Sequence, residues 1–166
     1  PKDIFIRRNA ILNLATAKED SGELSIAAAI KANKSSPELI PAAILTASIH
    51  LKNKKKRLAT NILRKAWDKS PHPDLAAAFA NLEPLESADD RFNRFKPWIK
   101  VHKETPEVIM LEAELALAAE NYTGARKIMG ELAETKPTAR ALTIMAAVER
   151  GTGAKEAVVR GWLAKA

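Results

Sequence analysis

Four of the nine prolines, Pro37, Pro71, Pro106 and Pro137, fall at intervals of 34, 35 and 31 residues. Proline lacks a backbone N–H and fixes its own φ angle, so it can open a helix but not continue one without a break or kink. The stretches between these prolines are rich in alanine and have helical period, and Pro37, Pro106 and Pro137 each open one directly. Runs of β-branched residues and Asn-Gly hairpin signals are missing, which removes the usual marks of strands. The chain is therefore expected to be all-α, built from short helices that turn back on one another.

The punctuation predicts ten helices. The first covers about residues 3–20 and ends at Ser21-Gly22; the second covers 23–32. Ser36-Pro37-Glu38 carries the cap, first-position proline and acidic first turn of a helix start, and that third helix runs to Lys52-Asn53. The fourth covers 56–69. Beyond Pro71-His72-Pro73-Asp74 come a short helix over 75–82 and a longer one over 88–102, in which Pro97 predicts a kink or interruption. Thr105-Pro106-Glu107 repeats the earlier start signal for a helix to Glu120. The last three cover 122–134, 138–150 and 154–165, the final one weakened by Gly161.

Ten helices with short turns make five antiparallel pairs. The expected organisation is one domain of repeats at about 1–36, 37–70, 71–105, 106–136 and 137–166, the third being the most irregular. A period near 34 with two helices per repeat is the mark of a tetratricopeptide-like α-solenoid. The small residues needed where paired helices cross fall at Ala47, Ala59 and Ala66 counting back from Pro71, and at Ala113 and Ala125 counting back from Pro137. Tyr122 takes the aromatic turn position. Leu132 stands where the last small residue is expected.

Composition narrows the chemistry. Hydrophobic residues make up 46% of the 166 but aromatics only 5%, which suits close helix packing. The absence of cysteine excludes disulfides and cysteine-based zinc sites. No apolar run approaches the roughly 18 residues of a membrane span, and no signal peptide is visible. The chain begins at Pro1 without methionine and reads as a piece of a longer protein. The net charge of +7 is uneven: residues 1–70 hold 14 Lys/Arg against 6 Asp/Glu, whereas 71–166 hold 13 against 14.

No residue pattern marks an enzyme. Carboxylates are numerous, but Glu112, Glu114 and Glu120 read as the solvated side of one helix, and no pair is set apart for acid–base work. His50, His72 and His102 are each capable of ligating haem iron, yet they lack paired spacing, and structural roles account for them. No metal site is expected. Trp67 and Trp98 read as core, and Trp162 as half-exposed. The turn Lys52, Lys54, Lys55, Lys56 and Arg57 is a basic patch suited to phosphates or anionic headgroups. It lacks the interleaved aromatics of a nucleic-acid surface. By repeat counting, the first helices of the pairs line a groove to which Ile44, Ser48, Leu51 and Lys52 contribute from one repeat. Glu107, Met110, Glu114 and Leu117 contribute from another. This mixture suits a peptide or helix of a partner protein.

The stretch IPAAILTASIHLKNKKKRLATNILRKAWDKSPHPDLAAAFANLEP resembles the C-terminal repeat region of bacterial HemY-type proteins, most specifically in Ala66-Trp67 followed by Pro71 to Leu75. ADDRFNRF, PEVIMLEAELALAAENYTGAR and KPTARALTIMAAVERG are similar to the same family. The resemblance implies a non-enzymatic scaffold for protein partners, linked to late haem or porphyrin metabolism, with late haem-pathway enzymes as the partners. It further implies a parent protein held in the bacterial inner membrane by two N-terminal spans, with this region facing the cytoplasm. Direct carriage of haem or porphyrin is the alternative.

Overall fold

The computed structural model describes residues 2–19 and 23–166. Among them every regular element is a helix, eleven in all: α1 Lys2–Glu19, α2 Glu23–Ser35, α3 Ile40–Lys52, α4 Lys56–Trp67, α5 Pro73–Ala80, α6 Ala88–Val101, α7 Pro106–Ala118, α8 Tyr122–Met129, α9 Leu132–Thr135, α10 Ala139–Gly151 and α11 Glu156–Leu163. The expected Ser21-Gly22 turn lies outside the described residues. The chain forms two compact units, Pro1–Pro84 and Leu85–Ala166. Their boundary falls in the loop of the third expected repeat, 71–105.

In the first unit α1 packs on α2, α2 on α3, α3 on α4, and α5 on both α3 and α4. In the second, α6 packs on α7, α7 on α8, and α10 on α7, α8 and α11. Each helix thus meets its sequence neighbours, the sequential packing of α-solenoids. Alanine makes this closeness possible: Ala29, Ala32, Ala42, Ala43, Ala59, Ala113, Ala125 and Ala141 are fully buried, and Ala47 and Ala66 nearly so. With only a methyl at the crossing point, two helices approach more closely than leucine would allow. In the first unit the Thr46 hydroxyl donates to the Ala29 carbonyl at 3.1 Å and ties α3 to α2.

Two local readings are corrected. Ser36 does not cap α3; Ser36 to Leu39 form a turn, and the helix starts at Ile40 after Leu39. Had it begun at Pro37, Pro41 would stand fifth, where an N–H is required and the ring meets the carbonyl of residue 37. Starting at Ile40 puts Pro41 in the first turn, where no donor is missed. The helix expected over 122–134 is broken at Gly130, whose φ of +48° is open to glycine but not to helix. After the break Ala133, not Leu132, takes the buried small position. Pro97 does not end α6, which continues to Val101.

The turn closing the first helix of a pair recurs in one form. Lys54 (φ +58°), Glu120 (φ +56°) and Gly153 (φ +78°) adopt the left-handed conformation, 66 and 33 residues apart. Each donates its N–H three residues back, to Leu51, Leu117 and Arg150. The following residues, Lys55, Asn121 and Ala154, donate five residues back, to His50, Ala116 and Glu149. These two bonds satisfy helix carbonyls that would otherwise lack donors. Side-chained residues cost about 1–2 kcal/mol in this conformation. Replacing Glu120 by glycine is therefore expected to stabilise the protein by about 0.5–1 kcal/mol, after the greater freedom of the unfolded glycine is counted. Lys54→Gly gains less, because it also removes a cation from a helix C-terminus, where positive charge is favourable. Urea unfolding of both variants measures the difference; a loss of stability in Glu120→Gly would contradict it.

The loop entering the second unit is held by one carboxylate. Glu86, its side chain only 10% exposed, accepts from Arg91 Nε at 2.9 Å and from Arg94 Nε at 2.7 Å, while Ser87 caps α6 by accepting from the Asp90 N–H. The Arg94 hydrogen bond, opposed by desolvation and helped by Arg91, holds the Glu86 carboxyl below its ordinary range. Its contribution to stability is therefore complete above the unfolded carboxylate pKa and is lost as pH falls through the lower folded value. Glu86→Gln is expected to lower stability at pH 7 by about 1–3 kcal/mol. It is also expected to flatten the decline in melting temperature below about pH 4.5. Melting curves at stepped pH test this; an unchanged acid limb would refute it.

Candidate functional site

The residues predicted from α3 come together in the first unit. Ile44, Ser48 and Leu51 line a concavity of about 360 Å³, with Ala47 beside them, Leu63 of α4, and Asp74, Ala77, Ala78, Asn81 and Leu82 of α5 and its end. Apolar groups form most of its wall, and Ser48, Asp74 and Asn81 supply polar atoms. The helix period explains the set: residues 44, 47, 48 and 51 share one face. The placement of α5 depends on His72, whose Nδ1 accepts from the Asp74 N–H at 3.2 Å. Pro73 follows at the first helical position. Lys52, the fourth predicted residue on α3, is exposed and does not line the concavity.

The four residues predicted from α7 are placed in the second unit. Glu107 and Glu114 together grip Arg140 of α10. Arg140 Nη1 donates to both Glu107 oxygens at 2.8 and 2.7 Å, and its Nε and Nη2 donate to Glu114 at 2.7 Å each. Met110 is buried, and its sulfur lies 3.9 Å from the Thr138 hydroxyl. Leu117 packs on the core formed by α7, α8, α9 and α10. This arrangement joins α7 to α10. Nothing in the sequence announced Arg140, which lies 26 and 33 residues from its partners. Nor did it single out Lys56 and Glu83, which pair at the edge of the first unit.

The remaining candidates have visible local roles. Glu112 is half-buried, and burial pushes its carboxyl above the ordinary range. Glu114 pairs with Arg140 and Glu120 sits in a left-handed turn, so these three are not simply a solvated row. His102 caps the C-terminus of α6, and His50 lies on α3 with a buried Nδ1. Two further concavities, of about 290 Å³ beside α1 and α2 and about 410 Å³ beside Trp162, are lined by no histidine, and neither is the first. Trp67 and Trp98 are buried as expected, at 0% and 3% exposure, and Trp162 is half-buried. Among the described residues no group of three or more His, Cys, Asp or Glu is arranged to hold a metal ion. No helix among them is long and apolar enough to cross a membrane.

Compared with protein-family models, curated proteins and solved structures, the chain matches none.

Proposed function

We propose that the chain is a non-enzymatic docking module of tetratricopeptide type, and that the concavity between α3, α4 and α5 receives a short segment of a partner protein. The observation that carries this reading is the concavity itself, whose apolar wall includes Ile44, Leu51, Leu63 and Leu82, with Ser48, Asp74 and Asn81 among them. A wall of this kind suits apolar anchors on one face of a helix, while the exposed Asp74 carboxylate favours a neighbouring cation. The partner class follows from the likeness of Ala66-Trp67 and Pro71 to Leu75 to HemY-type proteins: enzymes of late haem or porphyrin metabolism at a bacterial inner membrane. Direct carriage of haem has less support, since no histidine lines the three concavities.

The test is a pull-down from solubilised bacterial membranes with the chain as bait, beside a variant carrying Leu51→Glu and Ala77→Glu. Circular dichroism checks that the variant keeps its helices. Porphyrin-pathway enzymes are expected with the original and not with the variant. Equal recovery by both, or recovery of none of these enzymes, would overturn the reading. Changes at Glu107, Met110 or Glu114 would disturb the α7–α10 contact and are unsuitable for this purpose.

A further inference from the structure

The whole net charge of the chain is held in one segment. Residues 52–69 contain eight Lys/Arg and one Asp/Glu, and the other 148 residues contain 19 of each. The structure gathers these cations on a ridge. Lys52 ends α3, Lys54 and Lys55 form the turn, and Arg57, Arg64 and Lys65 lie on the face of α4 opposite its buried Ala59, Leu63 and Ala66. All six cations are exposed, and none takes part in an ion pair among the described residues.

The fold gains nothing from this placement. Helix α4 begins at Lys55-Lys56-Arg57 with no acidic residue in its first turn and no side-chain cap. Positive charge at a helix N-terminus opposes the helix dipole. Lys56 alone is neutralised, by Glu83. A run of cations that repel one another at the wrong end of a helix is a local conflict of the kind found at functional surfaces.

We infer that the 52–57 turn and the outer face of α4 form a docking surface for an anionic lipid bilayer. The ridge projects from one straight helix, and its cations line none of the three concavities described. It therefore suits an extended anionic plane better than a single small anion. Leu58, 46% exposed, stands seven residues from Lys65 on the same side of α4. A bilayer interface accommodates this apolar side chain between headgroups; a phosphate backbone gains nothing from it. Trp67, the aromatic residue of the segment, is fully buried, so no ring is offered to a nucleic-acid base.

The experiment is flotation of the chain with phosphatidylcholine vesicles, alone or with about one-third phosphatidylglycerol, at low and high salt, beside binding to a short nucleic-acid duplex. Binding to the anionic vesicles is expected to exceed that to neutral ones by at least about tenfold, and to fall steeply with salt. Changing Lys54, Lys55, Arg57, Arg64 and Lys65 to Gln is expected to abolish the preference. Changing Lys100, Lys103, Lys127, Lys136 and Lys155 to Gln, an equal loss of charge elsewhere, is expected to preserve most of it. Leu58→Ser is expected to weaken vesicle binding about two- to fivefold while leaving duplex binding unchanged. Circular dichroism establishes that each variant is folded, and Leu58→Ser carries the test if the five-site variant is not. Equal losses in the two charge variants, no preference for anionic vesicles, or tighter binding to the duplex than to vesicles would each overturn the inference.

Discussion

Replacing Trp67 by alanine is expected to destabilise the first unit by about 3–5 kcal/mol, the largest loss from a single core substitution in this chain. Trp67 is the largest side chain with no exposed surface. It ends α4, at the point where the chain turns through Ser70 and Pro71 toward α5, and α5 packs on both α3 and α4. Removing the indole leaves a cavity that the stiff Pro71-His72-Pro73 connection is poorly able to collapse into, and incomplete collapse raises the cost of a large-to-small change. Ala76 and Phe79 on the same helix are buried as well, so a disturbed α5 loses further contacts. Typical domains are stable by only about 5–15 kcal/mol, so Trp67→Ala removes much of the reserve. The measurement is the urea midpoint followed by circular dichroism, with Trp67→Phe as the graded comparison. A Trp67→Ala midpoint equal to that of the original would show that the site collapses freely. The substitution also bears on function, because Leu82 and Leu63 of the docking concavity lie on the two segments that Trp67 holds together.

What the sequence disclosed depended on how local each cause was. Proline rhythm and alanine placement act within a few residues, and they gave the helix order, the small crossing residues and the buried Trp67 and Trp98. The start of α3 was misread because the Ser36-Pro37-Glu38 pattern is a good helix start in isolation; Pro41, five positions along such a helix, overrides it. Gly130 was legible in principle as a breaker. Its left-handed φ, however, is a choice made by the turn into α9, and glycine inside a helical pattern is often tolerated. The left-handed turns at Lys54 and Glu120 could not be foreseen, since neither residue type favours that conformation. Their 66-residue separation shows the period through backbone geometry that side-chain type conceals.

The candidate site divides along the same line. Ile44, Ser48 and Leu51 share a face by helical period alone, and the structure brings them to the concavity. The second set was chosen by the same counting, but its surroundings are set by α10, a helix more than twenty residues further on. A charged residue on a first helix therefore reads alike in sequence whether it faces solvent or an arginine from the next pair. The basic segment is the opposite case. Its charge was plain in the sequence, and the structure adds that the cations are exposed, almost wholly unpaired and backed by a buried apolar stripe.

Arg140→Ala is expected to destabilise the second unit by about 2–4 kcal/mol, more than loss of its side-chain packing alone would explain. The guanidinium is 27% exposed and bridges Glu107, 20% exposed, and Glu114, 38% exposed. Hydrogen bonds to Glu114 and then Glu107 outweigh desolvation and raise the Arg140 pKa above its ordinary value, so the cation is fixed at any working pH. Removing it leaves two carboxylates on one face of α7 with no counter-charge where α7 meets α10, and such an uncompensated pair costs more than the original triad contributed. Partial exposure lets water relieve some of this, which holds the estimate below the range of about 3–5 kcal/mol for fully buried pairs. Arg140→Lys is expected to recover less than half, because a compact ammonium cannot direct separate N–H groups at both carboxylates. The deciding measurement is a triple substitution, Arg140→Met with Glu107→Gln and Glu114→Gln, compared with Arg140→Met alone in urea. Restoring stability by at least about 1 kcal/mol would identify stranded negative charge as the cause. If the triple variant is no more stable than the single one, the cation matters for its packing stem, and the carboxylates are bystanders.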